Sequence, residues 1–170
     1  MKKVFIVLMV LAFNAGIAQK IAYVEIGKVI NQMPEYKKAN DIIESQVLQW
    51  EGEVEDKFEA VENLYQEYVK NELMFTEDIK LQKQNEIIEA EKQAKEYREQ
   101  KFGKDGEMTK LKEQNLQPLQ DNIWKATEKV AVANNYDYVF DKSAESNWIY
   151  LKPEHDITAK VMAELGLKME

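Results

Sequence analysis

Cysteine is absent from the 170 residues. That excludes a disulfide framework, a thiolate metal site and a lipidated N-terminal cysteine. Histidine occurs once, at His155. A lone imidazole beside an expected helix cap reads as a surface side chain. No glycine-rich phosphate loop follows a strand, and no nucleophile stands beside a base. The sequence therefore predicts no catalytic residue, no metal ligand and no cofactor. Acid pairs such as Glu53 with Glu55 and Glu89 with Glu91 lie two apart on helices, face different directions, and read as solvated surface. Positive charge is scarce: 23 Lys and Arg stand against 31 Asp and Glu, a net charge of -8. Phosphate binding needs clustered cations, so nucleic acid is excluded as a partner, and nothing draws the chain to anionic lipid.

Long apolar runs are also missing. The ten apolar residues 4–13 cover about 15 Å as a helix, against a bilayer core of roughly 30 Å. Lys2 and Lys3 precede this run, and Gly16, Ile17 and Ala18 follow it. Basic start, short apolar core and small-residue end predict a signal peptide over residues 1–18, cleaved after Ala18. The expected mature chain starts at Gln19 and keeps 152 of the 170 residues, enough for one compact domain. It loses two lysines and no acid, so its charge becomes -10. It has no further candidate membrane span.

What is present is periodicity. The segment KIAYVE (20–25) reads as a strand with two apolar faces, covered on both sides. A short helical turn over 26–33 follows, and Pro34 suits the first turn of a new helix. From Glu35 the apolar residues Tyr36, Ala39, Ile43, Val47, Trp50, Val54, Phe58, Val61, Tyr65 and Tyr68 recur at threes and fours, one stripe of a long amphipathic helix. The stripe stops at Leu73, Met74 and Phe75. Thr76 is a good N-cap, with Glu77 and Asp78 in the turn after it. Residues 35–74 thus form the first arm of a helical hairpin. The return arm carries a thinner stripe: Ile79, Ile87, Ala90, Ala94 and Tyr97. Gly103 and Gly106 interrupt it, at about 1 kcal/mol each relative to alanine, and read as a hinge. Met108, Leu111, Leu119, Ile123, Ala126 and Val130 resume it, with a kink expected at Pro118. Residues 136–141 (YDYVFD) alternate as a strand, and 148–152 (WIYLK) read as another. A six-residue connection predicts that these two pair as an antiparallel hairpin. Asp156 caps a final helix with Ile157, Val161, Met162 and Leu165 on its apolar face and Gly166 as its stop.

These elements predict an α+β fold: a long antiparallel helical hairpin (35–134) on a small β body (19–34 with 135–170). So few short strands with two apolar faces leave open edges, and a lone hairpin buries one stripe per helix, so association is expected. Phe75 with Met74 at the tip, and Phe102 beside the glycines, are the aromatics hardest to place in a hairpin core. Met74, Phe75, Tyr97 and Phe102 are the candidate contacts for a flexible apolar partner.

The order of pieces, with KIAYVEIGKVI, VANNYDYVFD, WIYLKP and DITAKVMAEL at the two ends, resembles the Skp/OmpH family of periplasmic chaperones. The resemblance implies a homotrimer whose strands build a barrel-like body and whose three helical-hairpin tentacles enclose a cavity. It implies a periplasmic, ATP-independent holdase that keeps unfolded outer-membrane β-barrel proteins from aggregating. Carried onto this sequence, it places Ile21, Tyr23, Tyr138, Phe140, Ile149 and Tyr150 in the body and its trimer contact. The best-known members are basic and this chain is acidic, so no lipopolysaccharide site is carried over. The alternative reading is a coiled-coil adaptor or spacer of the cell envelope that binds one folded partner.

Overall fold

The computed structural model describes residues 19–142 and 148–168. The expected leader, 1–18, and residues 143–147 of the expected turn lie outside them. The chain is mostly helical, in the order β1 (Ile21–Val24), α1 (Ile26–Asn31), α2 (Pro34–Asn71), α3 (Glu77–Phe102), α4 (Glu107–Ala133), β2 (Tyr138–Asp141) and α5 (Thr158–Glu164). It divides into two compact units: Pro34–Gln120, and the residues up to Met33 and from Asp121 onward. Helix α4 begins in the first and ends in the second.

In the Pro34–Gln120 unit, α2 runs 38 residues, about 57 Å at 1.5 Å per residue. Its stripe is the one the spacing predicts. Ala39, Ile43, Trp50 and Tyr68 are buried, and Val47, Val54, Phe58 and Val61 half-buried; Tyr65 remains exposed. A 3₁₀ turn, Glu72–Met74, ends the run. The Thr76 hydroxyl then caps α3 by accepting from the Ile79 N–H. Ala94 is the single fully buried residue of α3, where a small side chain lets the two helices approach. Gln84 Nε2 donates to the Tyr68 hydroxyl across the hairpin at 2.9 Å. Gly103 and Gly106 end α3 and release the chain into α4. Pro118 is accommodated inside α4, which continues past it.

In the other unit, the core gathers Ala22, Tyr23 and Val24 from β1, Val29 and Met33, Ile123, Ala126 and Val130 from α4, and Ile157, Val161 and Met162 at α5. Ile21 alone of β1 is exposed. Strand β2 pairs with β1 in parallel, in the register Ile21–Tyr138, Ala22–Val139, Tyr23–Phe140 and Val24–Asp141. The Asp137 carboxylate accepts from the Lys20 N–H at 2.7 Å and so starts the pairing. On the far edge of β1, the Ile157 N–H donates to the Tyr23 carbonyl at 2.9 Å. The Asp156 carboxylate accepts from both the N–H and the hydroxyl of Thr158, and that hydroxyl accepts from the Glu25 N–H. Gly166, at φ 72°, ends α5.

Two sequence expectations are corrected here. Residues 136–141 and 148–152 do not form an antiparallel hairpin, and 148–152 holds no strand; the sheet among the described residues has two strands, in the order β1–β2. The parallel partner of β2 is more than a hundred residues away, reached over the helical crossover that parallel pairing requires. Residues 148–152 keep their strand-like composition but pair with no strand of the described residues: Trp148 alone reaches β2, through Phe140, while Ile149 is 101% exposed and Tyr150 74%.

Candidate functional site

The first exposed apolar surface is one face of the β1–β2 sheet. Alternation along β2 turns Tyr138 and Phe140 to one side and Val139 and Asp141 to the other. The Tyr138 and Phe140 rings stack at 6.5 Å, and Trp148 meets Phe140 edge-on at 5.2 Å. Ile21 joins them from β1, directly opposite Tyr138 in the register. All four side chains are substantially exposed. Of the other body candidates, Tyr23 is covered, with the Lys142 ammonium 5.5 Å over its ring. Ile149 and Tyr150 stand in solvent. At the end of the strands Lys142 Nζ lies 2.5 Å from the Glu25 carboxylate. Its hydrogen bond, then that of Lys28, holds the Glu25 carboxyl below its ordinary value of 4.5. Trp148 was missed as a member of this cluster because strand spacing alone does not relate it to Phe140, eight residues earlier.

The second surface is the end of the α2–α3 hairpin. Phe75 is half-buried, its ring 6.2 Å from Tyr68. Leu73 and Met74 project into solvent, 101% and 76% exposed. Leu73 completes this surface. Its signal in the sequence is three consecutive apolar residues between two helices otherwise rich in charge.

The remaining two apolar-contact candidates, Tyr97 and Phe102, are brought together elsewhere. Phe102 packs edge-on against Trp50 at 6.4 Å. The Tyr97 hydroxyl donates to the Glu53 carboxylate. That bond, more than any other group, lowers the Glu53 carboxyl and raises the Tyr97 phenol. Lys101 lies between the Trp50 and Tyr97 rings, 5.1 Å from each centroid, and its ammonium reaches Glu107 at 2.5 Å. The Glu107 bond raises the Lys101 ammonium. Lys101 and Glu107 escaped the sequence reading, and Glu53, expected there as solvated surface, is half-buried and accepts from Tyr97. The available signal was a lysine four residues after a tyrosine on one helix face. Gly103 and Gly106 form the adjoining turn.

Neither exposed surface carries a set of convergent polar groups. Among the described residues no group of three or more His, Cys, Asp or Glu could hold a metal ion. Among the same residues no helix is long and apolar enough to cross a membrane. The arrangement offers apolar contact, adaptable in side-chain conformation and without directional chemistry.

No curated protein matches the sequence significantly. Among solved structures, the chain is similar to an OmpH-like protein of Caulobacter crescentus CB15 proposed to be an outer membrane chaperone, with a TM-score of 0.67 and 14% identity, over 86% of this chain and 83% of that one. At that identity the likeness is one of fold. The model of the family "Outer membrane protein (OmpH-like)" matches residues 20–165. A match over that much of the chain, from β1 through α5, makes this protein a member of the OmpH-like family.

Proposed function

We propose that this protein is a periplasmic chaperone for outer-membrane proteins: an ATP-independent holdase that binds unfolded β-barrel chains between helical arms. The observation that carries the reading is the presence of two exposed apolar surfaces, one on the β1–β2 sheet and one at the end of the α2–α3 hairpin. One surface suits self-association: Ile21, Tyr138, Phe140, Ile149 and Tyr150, with the covered Tyr23 opposite Phe140 in the register, would join copies of the body into a trimer. The other, Leu73, Met74 and Phe75, suits transient contact with apolar segments of a client. Each contact is weak, and capture depends on their number. No reaction step is needed. The expected leader would place the mature chain, from Gln19, in the periplasm.

The test is dilution of an outer-membrane β-barrel protein from urea into the mature chain, followed by light scattering and native mass spectrometry. The expected result is suppressed aggregation and one client per oligomer. Replacing Met74 and Phe75 with serine should lower client protection several-fold while leaving the oligomer intact. A stable oligomer that lets the client aggregate, yet binds a folded envelope protein, would overturn the holdase reading in favour of an adaptor.

A further inference from the structure

Two glycines three apart in a helical arm suggest looseness, yet the atoms around them are crowded. Neither glycine has a left-handed backbone. A Cβ on Gly106 would meet the Lys101, Gln100 and Gly103 carbonyl oxygens at 2.8–2.9 Å, and one on Gly103 would meet the Glu99 carbonyl at 2.4 Å. They are needed for close approach. Four hydrogen bonds tie the turn: Gly103 N–H to the Glu99 carbonyl, Gly106 N–H to Gly103, Lys110 N–H to Gly106, and the Thr109 hydroxyl to the Lys104 carbonyl. Side chains then bridge it. Lys101 from the last turn of α3 and Glu107 from the first turn of α4 form an ion pair, and Gln100 Nε2 donates to the other Glu107 oxygen at 3.1 Å. The Lys101 side chain is only 12% exposed. It is held by two rings, and one of these, Tyr97, is itself fixed by Glu53 of α2.

We propose that the α3–α4 turn is a clasped joint, in which Lys101, bound to Glu107 and seated between Trp50 and Tyr97, ties both return helices to α2 and holds one bend. The clasp joins three helices through one ammonium. A cation in that position gains from two ring faces and a carboxylate at once, and its low exposure reduces screening by salt. Removing the charge while keeping the stem should leave the helices formed and free the bend between them.

The absence of native cysteine makes the test direct. Spin labels on Gln93→Cys in α3 and Glu113→Cys in α4 report the distance across the joint. The mature chain should give one narrow distance distribution. With Lys101→Met it should broaden at least twofold at unchanged helicity. Amide exchange over residues 103–110 should rise roughly tenfold, the order expected for losing a charged hydrogen bond. Lys101→Arg should restore most of the narrow distribution, and Glu107→Gln should broaden it in the same sense if Lys101→Met fails to fold. An unchanged distribution and unchanged exchange in Lys101→Met, or in Glu107→Gln where the first is unfolded, would overturn the proposal. Neither readout involves a client, so both stand apart from the holdase assay.

Discussion

Gly52 and Gly106 show how one residue type carries opposite consequences at two places in the helical segment. Gly52 lies inside α2, exposed, and a Cβ there would meet nothing within 4 Å. It has no steric reason to be glycine, so it contributes only backbone entropy lost on folding. Gly52→Ala should raise stability by about 1 kcal/mol, read as a higher urea midpoint at unchanged slope. Gly106 is buried, and three carbonyl oxygens stand where its Cβ would be. Gly106→Ala should lower stability by about 1–3 kcal/mol, the usual range for overpacking. A Gly106→Ala chain that melts with the wild type would mean that the turn relaxes around a methyl group. The sequence marked Gly106 as a weak helix former, since propensity depends on residue type. It did not show the crowding, which depends on where Lys101 and Gln100 turn their carbonyls.

Helix α2 is the element that the sequence made most legible, and it also carries an unused tension. Asp41, Glu44, Glu51, Glu55, Glu59 and Glu62, with Leu48 among them, follow one another at steps of three or four, and all are exposed. None of the six forms an ion pair with a cation among the described residues. Like charges at those spacings repel by about 0.2–0.5 kcal/mol per pair. Glu55→Lys would turn two repulsive neighbours, Glu51 and Glu59, into attractive ones. It should stabilise the chain by about 0.5–1 kcal/mol at low salt, and the gain should shrink as salt approaches 0.5 M. Equal urea midpoints for the two chains at low salt would show that the stripe carries no strain. The apolar stripe opposite was readable because every residue needed to see its 3.6 period lies within one segment. Strand pairing was not. The partner of Tyr138 is Ile21, and β1 is bordered on its other side by the start of α5, a long-range arrangement that no local window contains. Sequence proximity favoured 148–152 as the partner, and the fold of the single chain leaves that segment unpaired.

At the scale of the whole molecule, that unpaired segment and the exposed sheet face argue for association. Ile21, Tyr138, Phe140, Trp148, Ile149 and Tyr150 leave aromatic and aliphatic side chains in water, and the sheet has two strands among the described residues. Complete burial of a large apolar side chain is worth about 1.5–3 kcal/mol. These six, four of them about half-exposed and Ile149 and Tyr150 more so, together yield on the order of 5–10 kcal/mol. Association costs about 4–15 kcal/mol in lost freedom. One patch meeting one patch is therefore marginal, whereas a closed ring uses two edges of every copy and completes strand pairing that a single chain lacks. A charge at the centre of the face should tip this balance without harming the monomer, because Tyr138 is already half in solvent (50% exposed). Tyr138→Asp should dissociate the assembly to single chains at micromolar concentration in sedimentation velocity, with helicity retained. Leu81→Asp, at a more exposed apolar residue on α3, should leave the sedimentation coefficient unchanged. If Tyr138→Asp sediments as the full assembly, the sheet face is not the contact between copies, and its exposed aromatics would have to be assigned to another partner.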